Sequence, residues 1–279
     1  MFSVETVSFA APDAAPRFCA SLKQTGFAVL RDHPIPVSLI DRAYAQWADF
    51  FAGEEKSDYA ADPVRQDGYF AFGAENAKDS PVKDLKEFFH IYPGGRLPAG
   101  LEETSRSLYD ALVSLGGTLL GWIEQESPPA VRQAYSEPLP AMLEGSRQNL
   151  LRILHYPPLA ESIEPGAVRA AAHEDINLIT CLITGSEPGL QARDAEGTWH
   201  DVPCDAGMIT VNVGDMLQMA SGGYYPSTTH RVVNPTAARN VSRYSMPMFL
   251  HPRPEVMLQA GTSADDYLQA RLREIGLKS

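Results

Sequence analysis

The sequence predicts an α+β chain whose core is mainly β and is flanked by helices. Residues 148–250 carry many short apolar runs separated by Gly, Pro, Asn and Asp, which is the pattern of an all-β jelly roll or barrel. Helical periodicity appears before this stretch and again near the end of the chain. The 279 residues suffice for one large domain, or for one domain with an extension.

The N-terminal part alternates strand and helix patterns. Residues 4–9 are strand-like, and residues 14–25 have apolar side chains at helical spacing, which predicts a first helix. Residues 26–30 predict a strand, and residues 37–51 predict an amphipathic helix. From residue 54 to residue 98 the chain is polar and Gly-rich, so we expect loops there that border a site.

Two further helices are predicted around the β region. Leucines at spacings of three and four predict one long helix over residues 101–123, despite Gly116 and Gly117 within it. Residues 263–277 predict a final amphipathic helix. We therefore expect an N-terminal helix and strand region over residues 1–98. Residues 99–279 are expected to form the β core with its long helix and C-terminal helix, packed with the first region as one compact unit.

Composition and charge exclude several functional classes. A net charge of −12 argues against nucleic acid or an anionic membrane as the main partner, because both require a basic face. The three cysteines are widely spaced, which indicates neither a disulfide framework nor a zinc ribbon. We see neither a signal peptide nor an apolar run of about 18 residues. These features favour small-molecule chemistry in a reducing cytoplasm, and they leave the oligomeric state open.

A candidate metal site begins with His173 and Asp175, which one residue separates. Side chains of a strand alternate between its faces, so the imidazole and the carboxylate should converge on one ion while Glu174 faces away. Farther along the chain, His230 offers a second imidazole. Two histidines and one carboxylate on one face of an octahedron leave three open positions. This arrangement is expected for non-haem Fe(II) that binds an organic ligand and O₂ together.

A candidate anion clamp follows at Arg243 and Ser245. On a strand these two side chains face one way and Tyr244 faces the other. A guanidinium matches a carboxylate with two parallel hydrogen bonds, and a hydroxyl can add one more. The pair therefore suits the far end of a dicarboxylate. The nearby Arg231, Arg239 and Arg253 lack a serine two residues later.

With these motifs in place, the chain resembles the iron(II)- and 2-oxoglutarate-dependent oxygenases, in the branch that includes isopenicillin N synthase and the plant flavonoid and hormone dioxygenases. The metal motif of that family falls on His173, Asp175 and His230, and its Arg-x-Ser motif falls on Arg243 and Ser245. The resemblance implies a double-stranded β-helix, the cupin-like jelly roll. It also implies Fe(II), 2-oxoglutarate as cosubstrate and O₂.

One more motif is similar to the family pattern. Tyr156, followed by two prolines, looks like the Tyr-Pro strand whose tyrosine helps hold the cosubstrate. Plant members place Asn two residues earlier, whereas this chain has Leu154, so it departs from the plant pattern at one cosubstrate contact. Asn177 and Phe88 are further candidates for substrate contact.

The resemblance implies oxidation of a small organic molecule by hydroxylation, desaturation or ring closure, with release of succinate and CO₂. Two alternatives remain: an isopenicillin N synthase-like oxidase that needs no 2-oxoglutarate, and a non-catalytic cupin-like sensor of 2-oxoglutarate or metal. Lys86 and Glu87 are interpreted as an ordinary solvated pair. The histidines without paired spacing are interpreted as structural; they are His33, His90, His155, His200 and His251.

Overall fold

The computed structural model describes residues 2–75, 82–160 and 162–274. Within these residues the chain forms fourteen strands and six α-helices. The helices are α1 (Ala14–Thr25), α2 (Val37–Ala52), α3 (Glu102–Glu126), α4 (Pro129–Arg132), α5 (Asp215–Ala220) and α6 (Ala264–Glu274), with short 3₁₀ helices at Glu55–Tyr59, Ala141–Leu143 and Ala237–Arg239. The strands are β1 (Thr6–Ser8), β2 (Phe27–Arg31), β3 (Gly68–Phe70), β4 (Glu87–Ile91), β5 (Leu150–Tyr156), β6 (Ala170–His173), β7 (Ile179–Ile183), β8 (Leu190–Arg193), β9 (Trp199–Asp201), β10 (Ile209–Val213), β11 (His230–Val232), β12 (Arg243–Leu250), β13 (Met257–Gln259) and β14 (Thr262–Ser263).

Two sheets build the core. The larger has eight strands in the order β1-β2-β10-β7-β12-β5-β4-β3, and the smaller has four in the order β6-β11-β8-β9. Strands β1 and β2 pair in parallel, and the other neighbours of the larger sheet pair antiparallel. Strands β1 to β4 come from the N-terminal part of the chain, so both parts contribute to one sheet. The two sheets form the predicted double-stranded β-helix.

Side chains at alternate positions of the strands belong to two different hydrophobic cores, an outer one and an inner one. On β5, Leu151 and Ile153 belong to the large cluster that includes the buried faces of α1, α2 and α3. Leu154 and Tyr156 face the other way and belong to a smaller cluster with Phe27 and Leu182. This smaller cluster lines the interior of the β-helix, because alternate side chains of a strand point to opposite faces of its sheet. The polar residues described below face the same interior.

The long helix α3 packs directly on the larger sheet although it contains three glycines, Gly116, Gly117 and Gly121. A Cβ atom added at Gly116 would overlap with Cδ1 of Leu250 and would lie 3.3 Å from Cγ of that residue. The missing side chain therefore lets α3 approach β12 closely. This contact outweighs the low helix propensity of glycine, which costs about 1 kcal/mol relative to alanine.

The predicted helix bounds agree closely with the structure. Helix α1 has the predicted bounds, and α2 is one residue longer than predicted. Helix α3 begins one residue later and ends three residues later than predicted. Helix α6 ends at Glu274, and the rest of the predicted final helix lies outside the described residues.

No helix in the described part of the chain is long and apolar enough to cross a membrane. The three cysteines are free thiols, of which Cys19 and Cys181 are buried.

Candidate active site

His173, Asp175 and His230 come together at one end of the smaller sheet. Strand β6 ends at His173, strand β11 begins at His230, and the two histidines are register partners. Their ring centroids are 4.4 Å apart. Nε2 of His173 lies 3.9 Å, and Nε2 of His230 lies 3.8 Å, from Oδ1 of Asp175. One ligand atom from each residue fits within 4.8 Å of the other two, which is close enough for a single metal ion.

Asp175 reaches this group by a different route from the one that we predicted. We expected it on the same strand as His173, but β6 ends at His173 and Asp175 lies in the segment that follows. The backbone N–H of Asp215, at the start of α5, donates to the carbonyl oxygen of Asp175 at 2.7 Å and fixes that segment. Glu174 lies outside the group, and its carboxylate accepts a hydrogen bond from Thr229. The predicted convergence is present, but the irregular segment after β6 produces it.

Backbone carbonyls orient both imidazoles. Nδ1 of His173 lies 2.7 Å from the Ala171 carbonyl oxygen, and Nδ1 of His230 lies 3.1 Å from that of Thr228. A carbonyl oxygen can only accept, so each Nδ1 carries the hydrogen and each Nε2 keeps a lone pair for a ligand bond. The ring of Phe27 packs edge-on against His230, with centroids 5.5 Å apart.

The carboxylate is held with one oxygen facing the histidines. Its Oδ2 accepts hydrogen bonds from the Thr180 hydroxyl at 2.5 Å and from the Asn212 amide at 2.8 Å, which leaves Oδ1 towards the imidazoles. Burial alone would raise the pKa of Asp175, but His230, His173 and these two hydrogen bonds outweigh it and lower the pKa. Burial and the neighbouring His230 lower the pKa of His173 to about 4. An ionised carboxylate and a neutral imidazole are the forms that bind a cation, and this donor set fits Fe(II).

Arg243, Ser245 and Tyr156 also come together, facing the interior. Strands β12 and β5 pair so that Arg243 lies opposite Tyr156 and Ser245 lies opposite Leu154. The guanidinium carbon of Arg243 is 5.2 Å from the centre of the Tyr156 ring, and all three side chains are buried. Tyr244 faces the other way, as predicted, and stacks on His155.

The Arg243 guanidinium is tightly enclosed but not fully hydrogen-bonded. Its Nε donates to the carbonyl oxygen of Glu187 at 2.9 Å, and one terminal nitrogen has no partner among the described residues. A Cβ atom added at Gly185 would lie only 2.6 Å from the Arg243 Cζ, so glycine makes room for the guanidinium. A buried donor without a partner costs about 1–3 kcal/mol. This donor is therefore suited to a ligand that supplies an acceptor.

A polar wall that was not predicted lies on the same inner face and includes Arg152, Glu75 and His90. The guanidinium of Arg152 lies 4.6 Å from the Phe88 ring centre and 5.5 Å from that of Phe249. It forms two bonds to the Glu75 carboxylate, at 3.0 and 3.3 Å, and its Nε donates to Nε2 of His90 at 2.8 Å. The one signal in the sequence is strand parity, because Arg152 precedes Tyr156 by four residues on β5.

Lys86 belongs to this wall, so its interpretation as half of a solvated pair with Glu87 was wrong. Both residues are buried. Lys86 pairs with Glu75 at 2.9 Å and with Asp84 at 2.8 Å. Glu87, the next residue along the chain, instead pairs with Lys56 at 3.0 Å and with His155. Adjacent residues of an extended chain face opposite sides, which separates these two charges.

The other suggested substrate contacts have different outcomes. Asn177 is wholly buried, and its amide donates to the Thr180 hydroxyl at 2.9 Å, so it supports the residue that holds Asp175 rather than facing a substrate. Phe88 lies in the inner cluster, stacked on Phe70 with ring centroids 4.6 Å apart. Of the five histidines interpreted as structural, His90 contacts the polar wall.

Comparison with known proteins supports the same chemistry over most of the chain. A family model described as the 2OG-Fe(II) oxygenase superfamily matches residues 147–252, which contain all six predicted site residues. A second family model, described as non-haem dioxygenase in morphine synthesis N-terminal, matches residues 7–108. The first match lies within the β core, and the second runs from β1 into the first turns of α3.

Individual relatives and solved structures agree with the two family models. A proline hydroxylase from Petromyces alliaceus is 30% identical over 86% of this chain and 82% of its own length. A provisionally assigned oxygenase from Shewanella oneidensis has a crystal structure that superimposes with a TM-score of 0.89, at 48% identity over 99% of this chain and 100% of that one. A full-length Neurospora crassa protein in complex with alpha-KG superimposes with a TM-score of 0.81, at 25% identity over 96% of this chain and 95% of that one. The chain therefore belongs to the 2OG-Fe(II) oxygenase superfamily and is an Fe(II)- and 2-oxoglutarate-dependent dioxygenase.

Proposed function

We propose that His173, Asp175 and His230 hold the iron of this dioxygenase, and that Arg243, together with Ser245 and Tyr156, holds 2-oxoglutarate. The observation that carries this proposal is the convergence of three ligand atoms, all directed by hydrogen bonds, at the same interior that contains a buried guanidinium with a free donor. When bound, Fe(II) and 2-oxoglutarate activate O₂ for oxidation of the substrate, and succinate and CO₂ are released.

The charges of these groups balance. Fe(II) with the Asp175 carboxylate carries one net positive charge, and the dianion 2-oxoglutarate changes it to one negative charge. The Arg243 guanidinium restores neutrality. This balance matters because Arg243 is only 1% exposed, and an uncompensated charge in such a place costs several kcal/mol.

We propose that the substrate is a small organic molecule that lies against the polar wall. Phe88 and Phe249 provide aromatic faces there, and the guanidinium carbon of Arg152 lies within 5.5 Å of both ring centres. A surface of this kind suits a molecule with both an apolar part and a hydrogen-bonding part. Hydroxylation, desaturation and ring closure are the reactions that such placement beside the iron allows.

Titration without oxygen tests the cosubstrate site. Addition of Fe(II) and then 2-oxoglutarate should produce the weak visible charge-transfer band of a chelated keto acid. Arg243→Ala should weaken 2-oxoglutarate binding about ten- to a hundredfold, because a hydrogen bond to a charged group contributes about 1.5–3 kcal/mol. Arg193→Ala, which removes an exposed arginine of β8, is the matched control and should bind as the wild type does. An unchanged affinity in Arg243→Ala would contradict the assignment.

The alternatives give different results in two measurements. An isopenicillin N synthase-like oxidase would consume O₂ with iron and substrate alone, whereas the proposed enzyme requires added 2-oxoglutarate. A non-catalytic sensor would bind 2-oxoglutarate without forming succinate over many turnovers. The relatives described as 2-oxoglutarate-dependent dioxygenases support the proposed enzyme over both alternatives.

We also propose that residues 1–98 and 99–279 act as one folding unit in the cytoplasm. Strands β1 to β4 of the first region lie in the same sheet as β5, β7, β10 and β12, which supports a single unit. The free cysteines support a reducing compartment. Cell fractionation and a single cooperative unfolding transition are the corresponding tests.

A further inference from the structure

A second arginine, Arg169, is buried close to the proposed cosubstrate residues. It immediately precedes β6 and is only 1% exposed. Its backbone N–H donates to the Asn234 side chain at 3.0 Å, and one terminal nitrogen donates to the carbonyl oxygen of Val241 at 2.7 Å. Its Nε is buried and has no hydrogen-bond partner within the described ranges. The guanidinium is therefore held in place with a donor unused.

The guanidinium groups of Arg169 and Arg243 both lie near the ring of Tyr156. The Cζ atom of Arg169 lies 6.0 Å from the Tyr156 ring centre, and that of Arg243 lies 5.2 Å from it. In the described part of the chain neither arginine forms a salt bridge. Burial and then the charge of Arg243 lower the pKa of Arg169, and Glu187 opposes this without pairing with it. Two buried cations thus lie together, each with an unused donor.

This arrangement has more positive charge than Arg243 alone would provide. The neutral sum of Fe(II), Asp175, Arg243 and 2-oxoglutarate counts only one of the two guanidinium groups near Tyr156, and Arg169 is the other. Keeping a second cation in an apolar interior is unfavourable unless an anion comes close to it. If Arg169 served only to link β6 to the chain at Val241, a neutral donor could make the same hydrogen bond to that carbonyl oxygen. The charge itself therefore requires an explanation.

We propose that Arg169 is a specificity-determining residue of the cosubstrate pocket, where its charge acts with that of Arg243 to select a keto acid with a second, distal carboxylate. This inference rests on the proposed function, in which Arg243 and Tyr156 hold 2-oxoglutarate. Arg169 acts on the distal carboxylate and has no role at the metal. Its removal should therefore weaken binding of a dianion far more than binding of a monoanion.

The test compares two keto acids of the same chain length. Anaerobic Fe(II) protein is titrated with 2-oxoglutarate and with 2-oxopentanoate, which lacks the distal carboxylate, and each Kd is taken from the visible band. Arg169→Gln removes the charge but keeps an amide donor for Val241. We expect it to weaken 2-oxoglutarate binding about tenfold and to change 2-oxopentanoate binding less than about twofold. Arg169→Lys should keep most of the preference. Arg106→Met, which removes a cation from α3, is the control for net charge.

The outcomes separate this inference from the proposed function. If the wild type forms no band with 2-oxoglutarate, the proposed function fails. If Arg243→Met lowers the preference for the dianion and a folded Arg169→Gln does not, only the role of Arg169 is overturned. Equal weakening of both keto acids would indicate a structural role and would also overturn it. If Arg169→Gln does not fold, Arg169→Lys becomes the test. This variant keeps the charge, so a tenfold loss of its preference for 2-oxoglutarate over 2-oxopentanoate would overturn the role of Arg169.

Discussion

Gly185→Ala tests the proposed clamp without removing any charge or donor from it. Gly185 follows β7, and a Cβ atom there would lie 2.6 Å from Cζ and 3.0 Å from Nε of Arg243. Non-bonded heavy atoms prefer separations of about 3.5–4 Å, so the guanidinium would have to move by roughly 1 Å. The backbone of Gly185 is not in the left-handed region, so alanine introduces no backbone strain.

A shift of this size should reduce ligand binding more than stability. Arg243 is enclosed and is tied to the carbonyl oxygen of Glu187, so it cannot move into solvent to escape the added methyl group. Losing its alignment with a carboxylate forfeits a charged hydrogen bond of about 1.5–3 kcal/mol, which corresponds to a Kd about ten- to a hundredfold higher. Overpacking should also lower the free energy of unfolding by about 1–3 kcal/mol.

The assay is the anaerobic titration of Fe(II) protein with 2-oxoglutarate, followed by the visible band and accompanied by thermal unfolding. Gly117→Ala is the matched control, because a Cβ atom at that position of α3 meets no heavy atom within 4 Å apart from its chain neighbours and the backbone of its own helix. It should leave the Kd unchanged. A folded Gly185→Ala variant with a Kd within twofold of the wild type would refute the assignment of Arg243 to the cosubstrate.

Two further predictions concern the surroundings of the site. Thr180→Val removes the hydroxyl that donates to Oδ2 of Asp175 at 2.5 Å. It should weaken Fe(II) binding about ten- to a hundredfold, measured in competition with a chelator. An Fe(II) affinity equal to that of the wild type would contradict the role of this hydrogen bond. Burial and then Arg152 lower the pKa of His90 to about 3, whereas an exposed histidine titrates near 6.5. Between these values the unfolded chain binds the proton and the folded chain does not, so the free energy of unfolding should fall as the pH is lowered from about 6.5 towards 3. His90→Gln should make that decline shallower in denaturant titrations at several pH values, and an unaltered slope would argue against a neutral buried histidine.

The group of His173, Asp175 and His230 that we propose as the iron site could be predicted from the sequence because its chemistry is distinctive, although Asp175 does not lie on the predicted strand. Strand alternation correctly placed Arg243 and Ser245 on one face of β12. Strand alternation does not place Asp175, because pairing of β6 with β11 reaches only from Ala170 to His173 and the strand ends there. The carboxylate converges through contacts with Thr180 and Asn212, and neither of these was apparent from spacing along the chain.

The burial of Arg152 and Arg169 could not be predicted, because distant residues determine their environment. Arg152 pairs with Glu75, 77 positions earlier, and Arg169 donates to Val241, 72 positions later. Arginine is usually exposed, so a sequence pattern alone favours a surface position for both. Lys86 was misassigned for the same reason, since its partner Glu75 is not adjacent to it in the sequence.

The polar wall and the surroundings of Tyr156 differ in whether their cations are paired with carboxylates. At the wall, the cations Lys86 and Arg152 are paired with the carboxylates of Glu75 and Asp84, so that region is close to neutral before any ligand arrives. Around Tyr156, two guanidinium groups lack such pairing in the described part of the chain. A dicarboxylate therefore gains more by placing its distal charge beside Tyr156 than beside the wall, because only there does it satisfy unused donors. We expect this difference to direct 2-oxoglutarate to the Tyr156 end and to leave the wall free for the substrate.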